Sequence, residues 1–175
     1  MAETHNVYLI GPMGSGKTAV GRQLARLLRL EFYDSDVEIE RRTGVDIPYI
    51  FEKEGEAGFR EREREVIDAL TRLQDVVIAT GGGAVLSSEN RQNLASRGRV
   101  IYLKTSVEQQ LERTRHGRQR PLLYTQDPEA RLRELMTQRA PLYESIAAIT
   151  VDTDGRHVRA VADDILLFLK EPLTP

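Results

Sequence analysis

The chain has 175 residues, 40% of them apolar and 30% charged, with a formal net charge of -2 and no cysteine. That is the size of one domain able to bury its own core, and the composition excludes a disordered or fibrous chain. With no thiol there is no disulfide, zinc–thiolate site or cysteine nucleophile, and the slight acidity argues against a nucleic-acid binder. It suits an enzyme that gathers its positive charge in one cleft. The opening Met-Ala-Glu-Thr-His-Asn has no basic stretch ahead of an apolar one, so no signal peptide is expected. No run approaches the ~18 apolar residues that span a bilayer. The expectation is a cytoplasmic protein without a membrane partner.

In chain order, Val7–Ile10 reads as a buried parallel strand. From Lys17 the residues Val20, Leu24, Leu27 and Leu28 fall at helical spacing. Phe32-Tyr33 is a weaker strand that stops at Asp34-Ser35-Asp36, and a helix follows to about Gly44. The charge-rich stretch from Ile47 to Leu73 places Phe59, Val66, Ile67, Leu70 and Leu73 on one apolar face. Val76–Ala79 is a third strand, ending in Thr80 and Gly81-Gly82-Gly83. Ser87 or Ser88 caps a short helix, and Val100–Leu103 is a fourth strand. Thr105 with Glu108 forms a capping-box pattern for a helix running out near Gly117. Asp127-Pro128 starts another helix, with Asp at the cap and Pro in the first turn. Ile149–Val151 is a fifth strand, and Val158 to Leu169 form a last amphipathic helix. Strands alternating with helices imply an α/β fold on a parallel sheet. The whole reads as one domain over 1–175, with an insertion at about 37–64 and a loop at about 114–127.

Gly11-Pro12-Met13-Gly14-Ser15-Gly16-Lys17-Thr18 fits G-x-x-x-x-G-K-[ST] at every fixed position, between an apolar strand and an amphipathic helix. Such a loop turns successive N–H groups inward onto phosphate oxygens, and the helix start behind it adds positive potential. Lys17 reaches the β- and γ-phosphates, and the Thr18 hydroxyl is a ligand for Mg²⁺. Asp34 and Asp36 lie at a strand's carboxyl end, where ligands gather in open α/β sheets. Asp34 is expected to act through the metal, and Asp36 to accept or orient the proton of an attacking hydroxyl. The competing reading makes Asp34 or Ser35 the cap of the next helix.

The three glycines after the third strand give close backbone approach to a ligand or a tight turn; spacing alone does not separate the two. Arg60 and Arg139 stand in recognisable runs, Phe59-Arg60-x-x-Glu63 and Arg139-Ala-Pro-Leu-Tyr143. Arg113, Arg115, Arg118 and Arg120 precede Pro121-Leu122-Leu123. Guanidinium forks suit carboxylates and phosphates, although most single arginines are solvated surface groups. No aromatic residues interleave the Arg113–Arg120 cluster, which argues against a nucleic-acid loop. His5, His116 and His157 lack metal-ligand spacing, and Tyr143 and Phe51 read as packing residues.

These runs, in this order from about Val7 to Asp152, resemble the shikimate kinases. The resemblance implies a P-loop NTPase of the nucleoside-monophosphate-kinase-like fold, with a five-stranded parallel sheet flanked by helices. It implies transfer of the ATP γ-phosphate to the 3-hydroxyl of shikimate on the route to chorismate and the aromatic amino acids, by a monomer using Mg²⁺. It places Gly14, Ser15, Gly16, Lys17, Thr18, Ala19, Arg113, Arg120 and Arg156 at the nucleotide, and Thr18 and Asp34 at the metal. Asp36, Arg60, Gly82 and Arg139 fall at shikimate. Lys17, Asp36 and Arg120 become the catalytic set, with Arg120 on a lid at about 114–127 and 37–64 as the substrate-binding insertion. The rivals are a gluconate or nucleotide kinase on the same fold, and a non-catalytic nucleotide-binding module. The first lacks the two arginine runs together, and the second has no reason to keep Lys17, Asp36 and Arg120.

Overall fold

The computed structural model describes residues 5–114 and 125–171. Arg115, His116, Arg118 and Arg120, with nearly all of the expected lid, lie outside the described residues. Five strands form one fully parallel sheet: β1 (Val7–Ile10), β2 (Glu31–Asp34), β3 (Val76–Ala79), β4 (Arg99–Lys104) and β5 (Ile149–Asp152), in the order β2-β3-β1-β4-β5. Among the described residues seven α-helices stand between and after them: α1 (Lys17–Leu28), α2 (Ser35–Thr43), α3 (Ile47–Thr71), α4 (Ser88–Arg97), α5 (Val107–Thr114), α6 (Pro128–Ile146) and α7 (Val158–Lys170). None is long and apolar enough to cross a membrane among the described residues.

Side chains alternate across a strand with period two, and that alternation divides the core into two layers. Tyr8, Ile10, Ile78 and Tyr102 face one side and pack with Phe59 and Ile67 of α3, Leu94 of α4 and Tyr143 of α6. Val7, Leu9, Val77 and Ile101 face the other and pack with Val20 and Leu24 of α1 and Val161 and Ile165 of α7. Covered on both faces, β1 and β3 are apolar at every position, as parallel strands require. The edge strand β2 is only partly buried, which explains its weak signal in the sequence.

Three expectations are corrected in detail. Leu73 lies beyond the end of α3 and is 40% exposed, so the apolar face ends at Leu70. The cap of α5 is Ser106, whose hydroxyl accepts from Gln109 N at 3.1 Å. Thr105 is instead buried, and its hydroxyl pairs with Thr153 Oγ1 at 2.6 Å, tying the end of β4 to the loop after β5. Finally, the stretch 47–71 bends at Gly55, where φ is 71° and ψ -177°, so α3 is two helical pieces rather than one. The stretch expected as an insertion, 37–64, is built from α2 and most of α3.

The strand order assembles the site. With β3 between β2 and β1, the phosphate loop after β1, the Asp34-Ser-Asp36 turn after β2 and the glycines after β3 emerge side by side. Three runs that are far apart in sequence therefore share one rim of the sheet.

Candidate active site

The phosphate loop takes the curled form its glycines permit. Gly14 and Gly16 have φ of 78° and 89°, in the left-handed region that a side chain disfavours. Helix α1 begins directly at Lys17, so its N-terminal N–H groups and dipole face the loop. Ser15 is buried within the loop and Ala19 is exposed on the first turn of α1. The Lys17 ammonium is folded onto the loop's own carbonyls, donating to Gly11 O at 2.7 Å and Pro12 O at 2.8 Å. It is thus held at the loop by neutral acceptors that an anionic phosphate would outcompete.

Asp34 caps α2 and also reaches the phosphate loop. Its Oδ1 caps α2, accepting from Asp36 N at 2.9 Å and Val37 N at 3.2 Å. Its Oδ2 accepts from the Thr18 hydroxyl at 2.7 Å, which joins the end of β2 to the first turn of α1. A hydroxyl and a carboxylate side by side at the mouth of a phosphate loop are hard oxygen donors of the kind Mg²⁺ takes with nucleotide phosphates.

The glycine turn after β3 is where the other candidates meet. A methyl group on Gly81 would lie 2.8 Å from Asp36 Oδ1 and 3.0 Å from Glu63 Oε2. On Gly82 it would lie 3.3 Å from Met13 N of the phosphate loop and 3.6 Å from Arg139 Nη1, and on Gly83 2.4 Å from Arg60 Nη2. The turn is pinned by Gly81 N donating to Ser35 Oγ at 3.0 Å and by the Tyr143 hydroxyl donating to Gly82 O at 2.5 Å. Asp36, Arg60, Gly82 and Arg139 are therefore brought together, within reach of the phosphate loop.

The charges in this corner are mostly buried. Arg60 Nη1 donates to Glu63 Oε1 at 2.8 Å, and Glu63 is 1% exposed. Burial pushes the Glu63 carboxyl up, and the Arg60 and Arg139 charges pull it only part of the way back. Burial also works against the Arg60 charge, but Glu63 and Glu56 more than offset it and leave Arg60 raised. Arg139 is buried too, and desolvation, helped by the Arg60 charge, brings it below its ordinary value. Arg139 Nε, Arg60 Nε and Glu63 Oε2 have no hydrogen-bond partner among the described residues. The two guanidinium groups face the carboxylates of Glu63, Glu56 and Asp36, so an anion here would be recognised by the arginine forks rather than by a net positive charge.

Arg113, at the end of α5, donates to Gly14 O at 2.9 Å and Thr153 O at 3.1 Å, so it stands against the phosphate loop. Arg156 is not brought there: its guanidinium donates to Asp152 O at 3.2 Å and pairs with Asp164 of α7 at 2.7 Å. Glu63 and Tyr143 are the site residues to which sequence reasoning gave no role. Their signals were the spacings Arg60/Glu63 (i, i+3) and Arg139/Tyr143 (i, i+4), each of which puts two side chains on one helix face.

A strand, a glycine loop and a helix with lysine and threonine at its start, in a parallel sheet of order 2-3-1-4-5, define a P-loop kinase. The chain belongs to the shikimate kinase family, whose family model matches residues 13–170. It is 60% identical over 157 residues to the shikimate kinase of Methylococcus capsulatus, covering 90% of this chain and 87% of that one. Its structure matches that of shikimate kinase from Acinetobacter baumannii in complex with shikimate with a TM-score of 0.95 and 52% identity, over 98% of this chain and 97% of that one. A gluconokinase from Sinorhizobium meliloti 1021 matches with a TM-score of 0.56 and 17% identity over 97% of this chain and 93% of that one, a likeness of fold alone.

Proposed function

We propose that this chain transfers the γ-phosphate of ATP to the 3-hydroxyl of shikimate, giving shikimate 3-phosphate and ADP. The observation that carries the reading is the convergence of Asp36, Arg60 and Arg139 on the Gly81–Gly83 turn, which lies so near the phosphate loop that a methyl on Gly82 would meet Met13 N at 3.3 Å. An acceptor bearing both a carboxylate and hydroxyls matches that set. The arginines take the carboxylate, the Gly82 backbone contacts the ring substituents, and Asp36 takes a hydroxyl next to where the γ-phosphate ends.

In the reaction the acceptor oxygen bonds to the γ-phosphorus while the bond from that phosphorus to the β–γ bridging oxygen breaks, and ADP leaves. Asp36 accepts or orients the hydroxyl proton, and Lys17 follows the charge on the transferring phosphoryl group. The residues suited to Mg²⁺ are Thr18 and Asp34, and the ion neutralises phosphate charge when bound. The loop backbone at Gly14, Ser15 and Gly16, with Thr18 and Ala19 behind it, cradles the phosphates. Arg113 borders the purine, and Arg156 would join it only by leaving Asp164. Arg120 enters the proposal on its sequence position alone, as the lid arginine that closes over the phosphates. The substrate-binding role falls to 37–64, in a monomeric, cytoplasmic enzyme of one domain.

The test is ADP release with Mg²⁺ and ATP against shikimate, gluconate, AMP or no acceptor. Turnover with shikimate alone is expected. Turnover only with gluconate or AMP would remove Arg60 and Arg139 from a shikimate carboxylate site, and no turnover with any acceptor would leave a non-catalytic nucleotide-binding module.

A further inference from the structure

Tyr143 is buried at 1% exposure, and a phenylalanine would fill the same space among the core residues of β4 and α6. Its ring is held by stacking on Tyr102 of β4, with centroids 4.9 Å apart and an interplanar angle of 27°. That contact fixes the ring but leaves the hydroxyl unexplained. A phenol has one proton to donate, and this one goes to Gly82 O at 2.5 Å. The oxygen keeps lone pairs, and the Arg139 guanidinium, one helical turn earlier on α6, stands beside the same glycine, with Nη1 3.6 Å from where a Gly82 methyl would be, and acts on the phenol through its charge. Burial holds the phenol well above its ordinary range, so it stays a neutral donor at any working pH.

Both groups beside this hydroxyl, the Gly82 carbonyl and the Arg139 guanidinium, belong to the proposed acceptor site. Gly82 lies on the turn that touches Met13 of the phosphate loop, and Arg139 lines the pocket that Pro12 and Met13 also border. The guanidinium of Arg139 is long and carries a buried Nε without a partner among the described residues. A group fixed beside its tip therefore biases where the fork points.

We propose that Tyr143 is a positioning residue for the acceptor: its hydroxyl locks the Gly82 backbone and the Arg139 guanidinium at one fixed separation, so that the acceptor's carboxylate and its reacting hydroxyl are held in register with the phosphate loop. The inference rests on the reading of Gly82 and Arg139 as acceptor contacts. Anchored through the rigid ring of a core aromatic, the arginine loses less freedom when the acceptor binds, which favours affinity without any direct contact from Tyr143.

The experiment uses Tyr143→Phe, Arg139→Ala and the double variant in steady-state assays with shikimate and ATP, and with the carboxamide analogue of shikimate. Tyr143→Phe keeps the ring and its stacking, so thermal melting confirms that it folds. The expected result is a rise in the KM for shikimate of about tenfold, the scale of one hydrogen bond to a charged group, with the KM for ATP unchanged. The preference for shikimate over its carboxamide should shrink by a similar factor. In the double variant the phenylalanine should add less than its full factor to the effect of Arg139→Ala, because part of what the hydroxyl does runs through that arginine. Equal rises in both KM values, an unchanged shikimate KM, or full multiplication of the two effects would overturn the proposal and leave Tyr143 a core residue. If Arg139→Ala itself leaves the shikimate KM unchanged, the acceptor-site reading of Arg139 falls, and this proposal with it.

Discussion

Glu63 accepts a hydrogen bond from Arg60 Nη1 at 2.8 Å through one oxygen, while its other oxygen lies beside Gly81 with no partner among the described residues. The carboxylate therefore orients Arg60 at a cost in desolvation, since a buried ion pair is worth less than its Coulomb attraction suggests. The cost has a pH signature. The Glu63 carboxyl is raised above its ordinary value of 4.5, chiefly by burial. Between the unfolded and folded values the native state then binds more protons than the unfolded chain, so stability falls as pH rises. The contribution is fully present below 4.5 and is lost as the pH passes the raised folded value. Glu63→Gln removes this titration. The stability of the wild type relative to Glu63→Gln should therefore decline from acid toward neutral pH, by about 1.4 kcal/mol for each unit that the two values differ. Urea melts of both proteins across that range measure it, and a pH-independent difference would mean that Glu63 is not raised.

Gly83→Ala tests the arginine corner without touching a charge. Gly83 has φ -97° and ψ 5°, which alanine adopts freely, so the backbone is not strained. The added methyl would meet the Arg60 guanidinium at 2.4 to 2.6 Å and must displace it. The KM for shikimate should rise about tenfold or more, toward that of Arg60→Ala, with little change in the KM for ATP, and the overpacking should cost roughly 1–3 kcal/mol at most. Gly11→Ala is the contrasting case. Its methyl would meet the backbone oxygen of Leu103 at 2.5 Å, which cannot swing aside, so that variant should lose stability and nucleotide binding together. Steady-state kinetics and thermal melts on the two variants separate the outcomes.

The sheet was legible because β1, β3 and β4 are unbroken apolar runs and because Gly11–Thr18 is a motif whose physics is local. The helix starts at Asp127 and Ser87 were legible for the same reason, since a cap acts within three residues. The capping residue of α5 was misplaced by one, because Thr105 forms a contact with Thr153, 48 residues away, that no local pattern reveals. The same limit hid the glycine turn. Nothing near Gly81–Gly83 in sequence says that Asp36, Arg60 and Arg139 press against it; that follows from β3 lying between β2 and β1 and from α6 returning over the sheet. Arg156 shows the reverse, a residue placed at the nucleotide by resemblance whose guanidinium the fold engages with α7.

Thr18 is the cleaner probe of the metal. Asp34 also caps α2, so replacing it would mix a helix effect with a ligand effect. Among the described residues the Thr18 hydroxyl makes one hydrogen bond, to Asp34 Oδ2 at 2.7 Å. Thr18→Ala should raise the Mg²⁺ concentration needed for half-maximal rate by about 10- to 100-fold, the range seen when a metal site loses a supporting group. Thr18→Ser should restore most of it. The check is a titration of rate against free Mg²⁺ at saturating ATP, and an unchanged midpoint would take Thr18 out of the metal site.

Asp36→Asn separates proton handling from binding. Asparagine keeps the size of the side chain and its capacity to hydrogen-bond a hydroxyl, so shikimate should still bind within a few-fold of its normal affinity. What is lost is a charged acceptor for the hydroxyl proton, and kcat should fall by about 10²- to 10⁴-fold, the contribution typical of a positioned general base. Because Asp36 Oδ1 stands 2.8 Å from where a Gly81 methyl would be, Gly81→Ala should push the same carboxylate aside and lower kcat in the same direction with the charge retained. Equilibrium binding by calorimetry alongside single-turnover rates distinguishes the two effects. A single-turnover rate for Asp36→Asn within tenfold of the wild type would mean that the proton leaves by another route and that Asp36 serves only to orient the acceptor.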